Sequence, residues 1–174
     1  TQTPTSTPPR LHPLPQGFPV DPKTWASDWS AAKVFQGAKR EYSQPDLSAR
    51  PDWLYVNFAV RDQAARRAVM RWAASPPQRG YVTVREKGSL TQDEYRGEVA
   101  VHRYVFCPPG NGLDTHRTYE ALQMGAVPVL LATNKALDAL YAQHLPLLIV
   151  SELSQLSLSL LEAQYPRLLR AMEA

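Results

Sequence analysis

The residues of this chain best suited to chemistry lie between Phe106 and Leu130. There Phe106-Cys107-Pro108-Pro109 runs into Gly110-Asn111-Gly112, with Asp114, His116, Arg117 and Glu120 close behind. Glycines at 110 and 112 let the main chain approach a ligand with no Cβ in the way. The helix expected from about Thr115 to Met124 would turn its first, unpaired N–H groups toward that loop, and such a terminus favours phosphate. Arg117 and Glu120 are three residues apart, and His116 and Glu120 four, so all three can share one face near the helix start. A guanidinium fork suits a diphosphate. A carboxylate accepts hydrogen bonds from two adjacent ribose hydroxyls. The combined face would therefore suit a nucleoside diphosphate. The loop alone is not diagnostic, because the third glycine of the dinucleotide-binding fingerprint is missing.

Each of these residues also has a plainer reading. Glu120 can pair with Arg117 or His116 on an exposed helix face. Asp114 or Thr115 is most simply a helix N-cap, with a sugar contact as the competing role. His116 reads as a capping or supporting residue with no catalytic role. His12, His102 and His144 show no partner pattern and read as surface residues. Cys107, at a strand end, reads as a small buried hydrophobe and not a nucleophile. Arg66, Arg67 and Arg71 read as a solvated helix face, with a phosphate contact from Arg66 or Arg67 as the alternative. Trp25, Trp29, Trp53 and Trp72 read as packing residues.

The elements that must hold the loop follow from residue patterns. Trp53–Phe58, Tyr81–Val84, Tyr104–Cys107, Val127–Leu131 and Leu147–Val150 are short apolar runs that predict strands. Helices are expected over Asp62–Ala74 with Asp62 as N-cap, Thr91–Arg103 with Thr91 and Glu94 at capping-box spacing, Thr115–Met124, Leu137–Gln143, and Leu156–Ala174 broken at Pro166. Pro76-Pro77 should stop the first helix, and Gly125 should cap the third in the left-handed conformation. Strands alternate with helices, and the late strands are apolar throughout, so both of their faces should be buried. The fold expected is α/β, a Rossmann-like parallel sheet with helices on both faces. Such sheets bind ligands beyond the carboxyl ends of their strands.

The 174 residues suffice for one domain with a substantial core. Seven of the 16 prolines fall within residues 1–22, which read as a linker or tail ahead of a domain at 23–174. Trp25, Trp29, Ala32 and Val34 could form a short amphipathic turn. A start at Thr1 suggests a piece of a longer or processed protein. The net charge of +3 divides into +5 over residues 1–119 (16 basic, 11 acidic) and −2 over 120–174 (3 basic, 5 acidic). A mildly basic front suits a small anion and lacks the dense stripe of a nucleic-acid binder. A single cysteine excludes an internal disulfide. No signal peptide or apolar run of membrane-spanning length appears. The compartment stays open: cytoplasmic, or membrane-associated through an anchor elsewhere.

The stretch Gly110-Asn111-Gly112-Leu113-Asp114-Thr115-His116-Arg117-Thr118-Tyr119-Glu120-Ala121-Leu122, followed by Gly125-Ala126-Val127-Pro128-Val129, resembles the C-terminal signature of exostosin-like glycosyltransferases. The resemblance extends to Leu54–Phe58 with Arg66-Arg67 downstream, to Leu140-Tyr141, and to Pro13-Leu14-Pro15-Gln16-Gly17 as the lead-in to a C-terminal domain. It implies the donor-binding C-terminal half of a GT-B fold, with the acceptor held by an N-terminal domain in the same or another chain. Glu120 matches the ribose-binding glutamate of that family. Arg117 and the Gly110–Gly112 loop match positions near the diphosphate, and Asn57 lies toward the interdomain cleft. The donor-binding set implied is therefore Asn57, Gly110, Asn111, Gly112, Asp114, His116, Arg117 and Glu120, with the catalytic base unassigned. GT-B enzymes of this kind usually need no metal or other cofactor, in keeping with the lack of an Asp-x-Asp motif. The partners implied are a nucleotide-sugar donor and a glycan or other hydroxyl acceptor, with no nucleic acid.

A non-catalytic nucleotide or nucleotide-sugar binding module is the competing function. A flavodoxin-like or nicotinamide-binding domain fits less well, because its phosphate loop would follow the first strand near Asn57-Phe58, where glycine is lacking.

Overall fold

A computed structural model describes residues 46–60, 63–85 and 89–173. The proline-rich lead, the turn around Trp25 and Trp29, His12 and the Asp62 cap lie outside the described residues. Five parallel strands form one sheet: β1 (Asp52–Val56), β2 (Val82–Val84), β3 (His102–Phe106), β4 (Val127–Leu131) and β5 (Leu148–Val150). Their order is β2-β1-β3-β4-β5. Leu54 lies opposite Val82 on one side and Tyr104 on the other, and Tyr104 lies opposite Val127.

The helices are α1 (Ala64–Ala73), α2 (Gln92–Val101), α3 (His116–Gln123), α4 (Lys135–His144) and α5 (Leu158–Glu173). Strand side chains alternate between faces. Leu54, Val56, Tyr104, Phe106, Val127 and Val129 pack with α1 and α5, through Val69, Ala73, Leu161, Tyr165 and Leu168. Tyr55, Val105, Cys107 and Leu130 pack with α2, α3 and α4, through Val99, Ala121, Met124, Leu137 and Tyr141. The sheet is thus covered on both faces, as the continuous apolar strands require. The chain is a doubly wound, Rossmann-like α/β domain.

Local signals set several boundaries. Thr91 Oγ1 accepts from the Glu94 amide while the Glu94 carboxylate accepts from the Thr91 amide, a complete capping box at the start of α2. Gly125 has φ 72° and closes α3; the Ala126 amide reaches back to the Ala121 carbonyl at 2.8 Å. Trp53 and Trp72 pack as expected, against Tyr165 and Phe106 respectively.

Three expectations change. Pro166 does not break α5, which runs unbroken through it. Proline deprives only the Glu162 carbonyl of its helical donor, and both residues are exposed, so water can serve instead. His102 is not a surface residue; it is fully buried where α2 gives way to β3. α1 starts at Ala64 with Gln63 in the cap position and no side-chain cap bond.

The end of the sheet opposite the candidate site is held by Arg50, 1% exposed. Its Nη1 donates to the carbonyls of His102 at 2.7 Å and Val99 at 3.3 Å, and its Nη2 to that of Met124 at 2.5 Å. One guanidinium therefore satisfies terminal carbonyls of both α2 and α3. Burial pulls its pKa down to about 10, which leaves it charged at neutral pH.

Candidate functional site at the β1–β3 crevice

β1 and β3 are neighbours in the sheet but not in sequence. The chain leaves β1 for α1 on one face and leaves β3 for α3 on the other. Where connections diverge in this way, a crevice opens beyond the carboxyl ends of the two strands. Asn57 follows β1 there, 5% exposed, and the glycine loop follows β3.

Arg66, in the first turn of α1, ties the two rims together. Its Nη1 donates to the Ala59 carbonyl at 2.8 Å, its Nε to the Pro109 carbonyl at 2.9 Å, and its guanidinium carbon lies 5.6 Å from the Phe58 ring centre. This residue is half-buried at the crevice and is not part of a solvated face, whereas Arg67 and Arg71 are exposed. The glycine at 110 has a specific reason: a Cβ there would stand 2.8 Å from Arg66 Nη2. At Gly112 a Cβ would meet only the Asp114 carbonyl, at an ordinary 3.5 Å. Asn111 and Gly112 are exposed at the loop tip.

Asp114 anchors the far end of the loop. It accepts from the Tyr119 hydroxyl at 3.0 Å and from the Tyr141 hydroxyl in a shorter contact, joining the loop to α3 and α4. Thr115 takes the N-cap position of α3 without a side-chain cap bond, and its Oγ1 is buried with no partner among the described residues. His116 follows, half-buried, in the first turn.

Arg117 and Glu120 project from α3 toward Tyr95 of α2. Arg117 Nη1 donates to the Tyr95 hydroxyl oxygen at 3.0 Å, and the guanidinium carbon lies 5.4 Å from the ring centre. The Tyr95 hydroxyl lies 3.5 Å from Glu120 Oε2, a long hydrogen bond. Among the described residues no ion pair joins Glu120 to Arg117 or to His116. Burial, chiefly, raises the Tyr95 phenol well above the ordinary range, so the hydroxyl stays protonated.

Beneath this cluster Cys107 is buried, with its thiol pushed up to about 12 by desolvation, consistent with a packing role. No cluster of three or more His, Cys, Asp or Glu side chains suited to a metal occurs among the described residues. No helix among them is long and apolar enough to cross a membrane.

The fold thus gathers Asn57, the 110–114 loop, His116, Arg117 and Glu120 around one crevice and the helix groove beside it. Tyr95 escaped the sequence reading, and Tyr119 and Tyr141 entered it only through the family resemblance, with no contact assigned to either. Each is an aromatic on a helix whose spacing marks it as core, and only the tertiary contact brings its hydroxyl to a site residue. In comparisons with known proteins, no family model matches this chain and no curated protein matches it.

Proposed function

We propose that this domain binds a nucleoside-diphosphate sugar as the donor half of a GT-B glycosyltransferase of the exostosin-like kind. The observation that carries the reading is the pair Arg117 and Glu120, presented side by side without neutralising one another, next to a glycine loop at the strand crevice. In this reading Glu120 accepts from the ribose hydroxyls, a positioning role. Arg117 and the amides of the loop and of the α3 start stabilise charge on the departing diphosphate. The acceptor hydroxyl, and the group that takes its proton, come from the acceptor domain.

The strand order β2-β1-β3-β4-β5 is shared with flavin-mononucleotide-binding folds, which hold phosphate in the loop after β1. Here that loop, Asn57-Phe58-Ala59-Val60, has no glycine, whereas the loop after β3 carries Gly110 and Gly112. This favours the β3 loop as the phosphate site.

Thermal shift with UDP, GDP, ADP, their sugar forms, flavin mononucleotide and NAD, on wild type and Glu120→Gln, tests the reading. A ligand at a hundredfold excess over its Kd should stabilise by about 2.7 kcal/mol. Stabilisation by one nucleoside diphosphate, weakened in Glu120→Gln, is the expected result. Stabilisation by flavin mononucleotide alone, or undiminished stabilisation in the variant, would overturn it.

A further inference from the structure

Resting on that reading, we infer that Tyr95 is the positioning residue that keeps Arg117 and Glu120 apart and sets the ribose preference of the site. Three apart on one helix, a guanidinium and a carboxylate ordinarily reach each other. Direct pairing would occupy both, leaving neither for a ligand. In the structure the Tyr95 oxygen stands between them, taking a hydrogen bond from Arg117 at 3.0 Å while its own proton lies toward Glu120 Oε2 at 3.5 Å. A phenol has one proton to donate, so accepting from Arg117 leaves that proton for the carboxylate. Glu120 Oε1 takes no hydrogen bond among the described residues and remains an acceptor for a sugar hydroxyl.

The ring fixes the hydroxyl. Tyr95 lies on α2 in the first turn after the capping box, and its ring packs 6.2 Å from that of Tyr55, which is fully buried in β1. The Arg117 guanidinium sits against the same ring, so the wedge is held from below by the core and from the side by the cation. Tyr95→Phe keeps the ring and removes only the wedge, which frees Arg117 and Glu120 to pair.

The test is the affinity ratio between a ribonucleoside diphosphate and its 2′-deoxy counterpart (UDP against dUDP, GDP against dGDP) for wild type, Tyr95→Phe, Glu120→Gln and the double variant, with thermal melts confirming folding. The wild type should favour the ribonucleotide by about tenfold, the worth of a hydrogen bond to a charged group. Tyr95→Phe should bring the ratio close to unity, and the double variant should lower it no further, because both changes remove the same interaction. A Tyr95→Phe protein that keeps the wild-type ratio overturns the role of Tyr95 and leaves the donor-site reading standing. A wild type that binds no nucleotide overturns both.

Discussion

The space that a side chain at Gly110 would need is already taken by Arg66: a Cβ built there would stand 2.8 Å from Nη2 of the arginine. The guanidinium cannot easily withdraw, because it is bonded to carbonyls of the loops after β1 and β3. Gly110→Ala should therefore displace Arg66 and cost roughly 1 kcal/mol or more. In an Arg66→Ala background the same change should be close to neutral. A double-mutant cycle by urea denaturation reads the coupling. Additive effects would show that the glycine serves something other than the arginine.

Arg50 supplies donors to three buried carbonyls from two helices and the start of β3. Arg50→Met removes all of them and should destabilise by on the order of 3 kcal/mol. The melting temperature should fall by roughly 10 °C. Arg50→Lys keeps the charge but not the planar fork, and should recover only part of the loss. A melt for Arg50→Met close to that of the wild type would refute the bridging role.

His102 should make the fold sensitive to mild acid. Its Nδ1 donates to the Glu98 carbonyl at 2.6 Å, while Nε2 is buried with no partner among the described residues. Burial lowers its pKa below the ordinary 6.5, since protonation would place a charge in the core. In the unfolded chain the ring takes up a proton as pH falls through 6.5, and in the folded chain it does so only at lower pH. The stability linked to His102 is thus complete above 6.5 and is lost as pH falls toward the folded-state value. Denaturation free energies at pH values on both sides of 6.5 should fall more steeply with acid in wild type than in His102→Gln. Equal slopes would rule the histidine out as the source.

Cys107 should resist alkylation while the domain is folded. The residue is 2% exposed and its thiol pKa is pushed up to about 12, so thiolate at neutral pH is negligible. Iodoacetamide, followed by mass spectrometry, should label it in urea and leave it unlabelled in buffer. Rapid labelling under native conditions would contradict the packing described.

The layered sheet was legible because parallel strands buried on both faces leave uninterrupted apolar runs, and Val127–Leu131 is bounded as its sequence suggests. Thr91 with Glu94, and Gly125, announce helix ends because caps are local chemistry. His102 was misread because helix and strand meet there without a turn, so neither periodicity covers it. The glycine loop and the Arg117–Glu120 face are also local and could be seen in advance. Tyr95 could not, since its contact with α3 is made across the gap between two helices packed on the sheet. For Gly110 the position was legible and the immediate reason was not: the atom that fills its space belongs to Arg66 of α1.

The grip of Arg50 on α2 and α3 has a mechanical side. The ten residues of α2 span about 15 Å. Arg50 clasps its last turn, while Tyr95 stands in its first. The same arginine clasps the end of α3, whose opposite end bears Arg117. The two helices therefore share a pivot at Arg50, with Tyr95 and Arg117 toward their other ends. A small slackening at the pivot is carried along both rods to the place where a phenol oxygen must stay between a cation and an anion.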